Sequence, residues 1–160
     1  VFAENEHYAG VLQLVYALQR KGHASDWEAA LALVEPPWRA GRLSPFTMAQ
    51  VIEQIHLAGG VAVLAHPIDV HRGSEDWLQA AQIAKLVELG LDGLEVYHFR
   101  LSETARAHFL SLAKQFDLLV SGGSDLHGWF ADIERLGQQP VTQAMVEALR
   151  ARHRRYAVRL

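Results

Sequence analysis

The second part of the chain alternates short apolar runs with amphipathic helical stretches. Strands are predicted at 61–65, 94–97 and 118–120, and helices lie between them at 75–89 and 103–115. Runs this short suit buried strands, and their alternation with helices is typical of a parallel sheet covered by helices. We therefore expect an α/β fold for residues 46–160, ending in a helix at 142–152 and a short strand at 156–158.

The first 45 residues have a different pattern, and we expect a separate helical subdomain there. Apolar residues between 11 and 18 recur at helical spacing. A second helix is predicted after Ser25, where Ser-Asp-Trp-Glu has the spacing of a capping box, and Pro36 and Pro37 are predicted to end it, with a loop at 38–45. Thr47 and Gln50 then predict the start of a third helix.

Composition excludes several classes of protein. The net charge is −3 with 21% charged residues, which excludes a polybasic nucleic-acid coat. Without cysteine there is no disulfide scaffold or thiol nucleophile, so any metal must be held by nitrogen and oxygen ligands. The longest apolar run, 61–65, is too short to span a membrane. We expect a cytoplasmic protein without membrane partners and, because the chain opens on Val1, a part of a longer one.

Each predicted strand leads into histidine. His66 and His98 follow the first two strands, and Asp125 and His127 follow the third. Ligands gather at the carboxyl ends of parallel strands, so these four side chains predict a site. Imidazole and carboxylate together suit Mn, Fe or Zn. Two residues apart in an extended segment, Asp125 and His127 project to the same side, and Pro67 biases His66 toward an extended backbone.

Other interpretations of these residues remain open. Asp-x-His can form a hydrogen-bonded turn, His66 can cap a strand, and His98 shares a face with Leu94 and Val96 that could pack against helices. Glu95 lies on the opposite face of that strand. The remaining histidines are interpreted as ordinary surface or packing residues: His7, His23, His56, His71, His108 and His153.

Three segments resemble the later motifs of the PHP (polymerase and histidinol phosphatase) family of metal-dependent phosphoesterases. They are the sequences around Gly59–Pro67, Gly90–His98 and Gly122–Gly128, in matching order. The resemblance implies the C-terminal part of a distorted (β/α)7 barrel with an N-terminal helical insertion, and two or three divalent ions, usually Mn, Fe or Zn. It makes His66, Asp125 and His127 metal ligands and His98 and Arg100 substrate contacts. No catalytic residue is assigned.

The helical section, especially Gly22–Ala30, resembles an insertion in the branch of this family that hydrolyses nucleotides and RNA 5′-phosphates. The expected activity is therefore metal-dependent hydrolysis of phosphomonoesters, with a phosphorylated small molecule, a nucleotide or RNA as substrate. The family's opening His-x-His, Thr-Asp-His and Glu motifs are absent, and Leu-Gln-Leu stands at 12–14 where Arg-Pro-His is usual. We expect this chain alone to be inactive and to need the N-terminal half of its parent, or a second copy.

A second interpretation rests on the basic carboxyl end. Five arginines lie within residues 150–159 and could hold a polyphosphate or a nucleic-acid backbone in a non-catalytic PHP-like binding domain. Basic residues at the end of a helix also complement its dipole, which is the simpler explanation.

Overall fold

The computed structural model describes residues 11–41, 46–67, 78–126 and 133–157. The chain forms two compact units, Val1–Pro45 and Phe46–Leu160. Each unit is described by itself below.

The first unit contains helix α1 (Val11–Arg20) and helix α2 (Trp27–Gly41). Its core is built on buried Val15, Ala30 and Val34. The predicted start of α2 is displaced by one residue, because Asp26 accepts a 2.8 Å hydrogen bond from the Ala29 N–H while the Ser25 hydroxyl donates to Asp26.

The predicted end of α2 is wrong. The helix continues through Pro36 and Pro37 to Gly41 instead of stopping before a loop at residue 38. Proline lacks an N–H donor but its ring fixes φ near the helical value. Inside a helix the proline ring also crowds the preceding turn, so the local sequence predicts a stop at this point that α2 does not show.

The second unit is a parallel sheet with helices, as the alternating pattern predicts. Its described elements are helix α3 (Met48–Leu57), strand β1 (Val63–Leu64), helix α4 (Ala80–Glu88), strand β2 (Gly93–His98), helix α5 (Glu103–Gln115), strand β3 (Leu119–Gly123) and helix α6 (Gln143–Ala157). The strand order is β1-β2-β3, and both neighbouring pairs are parallel. The α/β class is thus confirmed.

Local sequence signals place the helix starts well. Thr47 and Gln50 form the predicted capping box of α3. Ser102 accepts a hydrogen bond from the Ala105 N–H and begins α5, whose bounds match the prediction. α4 begins only at Ala80, and the preceding residues 68–77 lie outside the described part of the chain.

The end of the second unit differs from the prediction. Tyr156 and Ala157 belong to α6, so the predicted strand at 156–158 is wrong for these two residues, and Val158 lies outside the described residues. The side-chain contacts of α6 explain the difference. Tyr156 and Arg152, one helical turn apart, both reach the buried carboxylate of Asp92, and this arrangement requires the helical spacing.

The core of the second unit lies between the sheet and α5. Leu94, Val96 and Phe109 are completely buried, and Leu112 and Ile83 pack with them. Alternate residues of β2 thus point into this core, as expected for a central strand.

The pairing of β2 with β3 contains an irregularity that shapes the site. Glu95 pairs with Ser121, but Tyr97 pairs with Gly122, so two steps along β2 correspond to one along β3. Such a β-bulge inserts an extra residue, bends the strand and redirects the side chains around it.

Candidate functional site

The carboxyl ends of the three strands bring together three of the four predicted site residues. His66 follows β1, His98 ends β2 and Asp125 follows β3. The His66 and His98 rings have centroids 5.4 Å apart, and His98 Nε2 lies 3.5 Å from Asp125 Oδ2. The fourth residue, His127, lies outside the described residues.

His98 is buried, and its hydrogen bonds define where its proton lies. Only 1% of the residue is exposed. Its Nδ1 accepts a 3.2 Å hydrogen bond from the backbone N–H of Arg100, so the proton of the neutral ring is on Nε2. Within the described part of the chain Nε2 makes no hydrogen bond, and its contact with Asp125 is long. The ring therefore presents an N–H donor toward the site.

The surroundings of His98 keep it neutral. Burial lowers the pKa of His98 below its ordinary value and outweighs the opposing effect of the Glu95 and Asp125 carboxylates. A neutral Nε2–H tautomer suits a hydrogen-bond donor rather than a metal ligand, because a ligand nitrogen needs its lone pair.

His66 does not adopt the predicted extended backbone. Its φ is +26°, in the left-handed region that non-glycine residues rarely occupy, at a cost of roughly 1–2 kcal/mol. The prediction from Pro67 is wrong because a tertiary contact overrides it: the His66 N–H donates a 2.7 Å hydrogen bond to Glu95 Oε2. A short bond to a charged acceptor is worth more than a neutral one and offsets this strain.

Glu95 is the site residue that sequence reasoning missed. Strict alternation along β2 would put Glu95 on the face opposite His98. In the structure, however, the Glu95 carboxylate lies next to Gly123, which pairs with His98. A Cβ added to Gly123 would be 3.8 Å from Glu95 Oε1. The bulge at Glu95–Tyr97 explains this convergence. The sequence feature that could have identified Glu95 is its position as the one carboxylate of β2, next to the apolar residues Leu94 and Val96.

The two glycines of β3 have different roles. A Cβ on Gly122 would lie 2.4 Å from Tyr97 Cβ and 2.5 Å from Tyr97 O, so Gly122 permits close approach of β2 at the bulge. A Cβ on Gly123 would contact only Glu95, so the site side of β3 is open there.

Asp125 also departs from the expected geometry. Its φ is +54°, so the segment is not extended at this residue, and the argument that Asp125 and His127 project to one side does not hold for it. A short polar side chain tolerates this conformation better than most residues.

Three arginines lie near His98 or its neighbour Phe99. The guanidinium of Arg106 donates to the His98 carbonyl at 3.3 Å, and the guanidinium carbons of Arg100 and Arg135 lie 5.2 and 4.0 Å from the centroid of the Phe99 ring. Arg100 was predicted as a substrate contact; Arg106 and Arg135 were not. Their positive charge, close to Phe99 and to the backbone of His98, favours an anionic ligand.

Comparison with known proteins relates the chain to phosphoesterases. It is 30% identical over 129 residues to a 5′-3′ exoribonuclease of Haemophilus influenzae, covering 77% of this chain and 44% of the relative. It is 40% identical over 81 residues to the 5′-3′ exoribonuclease Rnm of Escherichia coli, covering 51% and 27%. A phosphoribosyl 1,2-cyclic phosphate 1,2-diphosphodiesterase of Eggerthella lenta is 39% identical over 79 residues, covering 49% and 28%. No family model matches the chain.

A solved structure extends the similarity to most of the chain. A protein of Bifidobacterium adolescentis described as a metal-dependent phosphoesterase superposes with a TM-score of 0.69 and 29% identity, over 89% of this chain and 50% of that one. These relatives are members of the PHP family, and the chain is similar to them in sequence and in structure. It spans less than half the length of the curated relatives it matches.

The described residues fit a metal ion only in part. His66 and Asp125 supply the nitrogen and oxygen donors that divalent transition ions prefer. Within the described ranges no group of three or more such side chains is close enough to hold an ion. A complete ligand set would therefore need further residues in addition to these two.

The amino end of the sheet holds a second polar cluster, the Asp92 cluster, formed by Asp92, His56, Arg152, Tyr156 and the Ala62 N–H. The buried carboxylate of Asp92 accepts hydrogen bonds from the other four groups at 2.8–3.0 Å. The rings of His56 and Tyr156 stack with centroids 4.1 Å apart. His56 is thus part of a specific network and not an ordinary surface residue.

This cluster changes the interpretation of the basic carboxyl end. Arg152 is engaged by Asp92, and His153 Nδ1 donates to the Gly59 carbonyl at 2.7 Å. Arg150, Arg154 and Arg155 are exposed, and Arg159 lies outside the described residues. The basic run therefore serves partly to attach α6 to the sheet.

Among the described residues, no helix has both the length and the apolar character needed to cross a membrane.

Proposed function

We propose that the intact protein is a metal-dependent phosphoesterase that hydrolyses phosphomonoesters, with nucleotides or RNA 5′ ends as the substrate class. The observation that carries the proposal is the convergence of His66, His98 and Asp125 at the carboxyl ends of adjacent parallel strands. Relatives named as exoribonucleases and as a phosphodiesterase support the substrate class. The cytoplasmic location predicted from the lack of cysteine is part of the same proposal.

The residues divide into metal ligands and phosphate contacts. His66 and Asp125 would hold a divalent ion such as Mn, Fe or Zn, together with His127 as predicted from the motif. Such an ion supplies positive charge for the phosphoryl oxygens and activates water. His98 would donate its Nε2–H to a phosphoryl oxygen, because its 3.5 Å contact with Asp125 is too long to satisfy that buried donor.

The remaining groups orient His98 and attract the anion. The Arg100 N–H fixes the tautomer and the orientation of the His98 ring, and Arg106 holds the backbone of His98 through its carbonyl oxygen. Burial excludes water from the ring, which strengthens its hydrogen bond to a charged oxygen. Arg100 and Arg135, both near Phe99, add positive charge for an anionic substrate.

We further propose that this chain is the C-terminal part of a (β/α)7 barrel, with 1–45 as a helical insertion and 46–160 as the barrel part. The opening motifs would come from the N-terminal half of the parent or from a second copy. On this view residues 1–160 alone do not turn over phosphate esters, because they lack the bridging ligands.

The test is hydrolysis of p-nitrophenyl phosphate and a 5′-phosphorylated oligoribonucleotide with added Mn²⁺, by the full-length protein and by residues 1–160. We expect activity from the full-length protein only, and its loss in His66→Ala and Asp125→Ala. His153→Ala is the matched control, since this histidine contacts Gly59 at the other end of the sheet.

Two results would contradict the proposal. Full activity in both site variants would exclude the assigned ligands. Metal-dependent turnover by residues 1–160 alone, abolished by His127→Ala, would show that the chain needs no further motifs.

A further inference from the structure

We propose that Glu95 is a positioning residue that holds His66 in its left-handed turn and thereby directs the His66 imidazole into the site. The inference rests on the proposed metal centre, because it explains how one of its ligands is oriented. Nothing in the sequence motifs assigns a role to Glu95, which interrupts the apolar run of β2.

The contact between Glu95 and His66 joins two strands. The His66 N–H donates to Glu95 Oε2 at 2.7 Å, across 29 positions of sequence. His66 follows β1, and Glu95 lies within β2, the neighbouring strand. The hydrogen bond therefore fixes the turn after β1 relative to the middle of the sheet.

The backbone of His66 needs such support. Its φ of +26° is disfavoured for a residue with a Cβ, and the following Pro67 has no N–H with which the turn could gain another hydrogen bond. A strained conformation persists only where surrounding contacts determine it. The Glu95 carboxylate supplies that contact, and the resulting turn places the His66 ring beside His98.

Two features of the sheet bring the Glu95 carboxylate to this position. The bulge between Glu95 and Tyr97 breaks the alternation of β2. Gly123 has no side chain to fill the space, since a Cβ there would already contact Glu95 Oε1 at 3.8 Å. Residues that orient a ligand in this way characteristically change metal affinity by 10- to 100-fold when they are removed.

The experiment compares Glu95→Ala with Glu95→Gln in the full-length protein, with Glu88→Gln, on an exposed position of α4, as the control. Mn²⁺ binding is titrated by electron paramagnetic resonance, and the His66 amide resonance is followed by ¹H–¹⁵N correlation spectra of the metal-free protein. Circular dichroism establishes that each variant is folded.

We expect Glu95→Ala to weaken Mn²⁺ binding by about 10-fold or more and to shift the His66 amide proton upfield. Glu95→Gln should restore most of both properties, because its amide oxygen still accepts the N–H. Equal loss of affinity in the two variants would overturn the positioning role in favour of direct ligation or charge. An unmoved His66 amide in Glu95→Ala would also overturn it.

The two proposals can fail separately. A full-length wild-type protein that binds no Mn²⁺ counts against the metal centre, whereas the His66 amide resonance tests the Glu95 contact in the absence of any metal.

Discussion

The two ends of β2 carry buried polar side chains with opposite hydrogen-bonding states. Asp92, just before the strand, accepts hydrogen bonds from four donors. His98, at the other end, has an Nε2–H that makes no hydrogen bond among the described residues. In parallel α/β sheets the amino end of the strands serves stability and the carboxyl end serves chemistry, and this chain follows that division.

Backbone strain is more frequent at the carboxyl ends of the strands, although Asp117, just before β3, also has a positive φ of +52°. His66 and Asp125, at the carboxyl ends, both have positive φ values although neither is glycine. Strain of this kind concentrates at functional sites and must be offset by contacts elsewhere. The Asp92 cluster is one such source of stability, since it connects α3, β2 and α6.

The largest effect is expected from removing the Asp92 carboxylate. Asp92→Ala leaves the Arg152 guanidinium and three other donors without their acceptor, and we expect the free energy of unfolding to fall by about 3–5 kcal/mol. Asp125→Ala is the matched change at the other end and should cost about 1 kcal/mol or less, because its side chain is 31% exposed. Urea denaturation measures both, and equal losses would remove the proposed division between the ends.

The next effect concerns the bulge that shapes the carboxyl end. Gly122→Ala places a Cβ 2.4 Å from Tyr97 Cβ, so the strands must shift, and we expect a loss of roughly 2–3 kcal/mol. Gly123→Ala meets only Glu95 at 3.8 Å and should change stability by less than about 1 kcal/mol. Thermal unfolding of the pair checks this, and a Gly123→Ala loss as large as that of Gly122→Ala would contradict the assigned geometry.

The smallest effect is the pH dependence contributed by the Asp92 cluster. Burial alone would raise the pKa of Asp92, but hydrogen bonds from Ala62, His56, Tyr156 and Arg152 lower it below its ordinary 3.8. The folded protein thus binds this proton more weakly than the unfolded chain. The stabilisation that the Asp92 carboxylate contributes is complete above pH 3.8. It is lost as the pH falls through the lower pKa of this group in the folded protein.

Asp92→Asn is the variant that isolates this titration. The stability of the wild type should fall more steeply than that of Asp92→Asn as the pH drops below about 4, measured by urea unfolding at a series of pH values. Parallel curves would mean that the carboxylate does not titrate as the contacts require.

Sequence reasoning predicted the local elements well, and the structure brings the predicted residues His66, His98 and Asp125 close together. Capping residues such as Thr47 and Ser102 act within one helical turn, so their effect is visible in the sequence. The strand ends at His66 and His98 followed from apolar runs alone. The sequence-based prediction failed where contacts between distant residues determine the backbone conformation, as at His66 and in the helix that contains Tyr156.

The sequence by itself determined the alternation of strands and helices, the helix starts, the motifs of the PHP family and the nitrogen and oxygen character of the site, because these depend on neighbouring residues and on side-chain type. Only the tertiary structure placed Glu95 beside His66 and gathered four donors on Asp92. A bulge and contacts 29 to 64 positions apart along the chain produce these arrangements. Neither is encoded in any local pattern, since both depend on how the strands pair and how α6 packs.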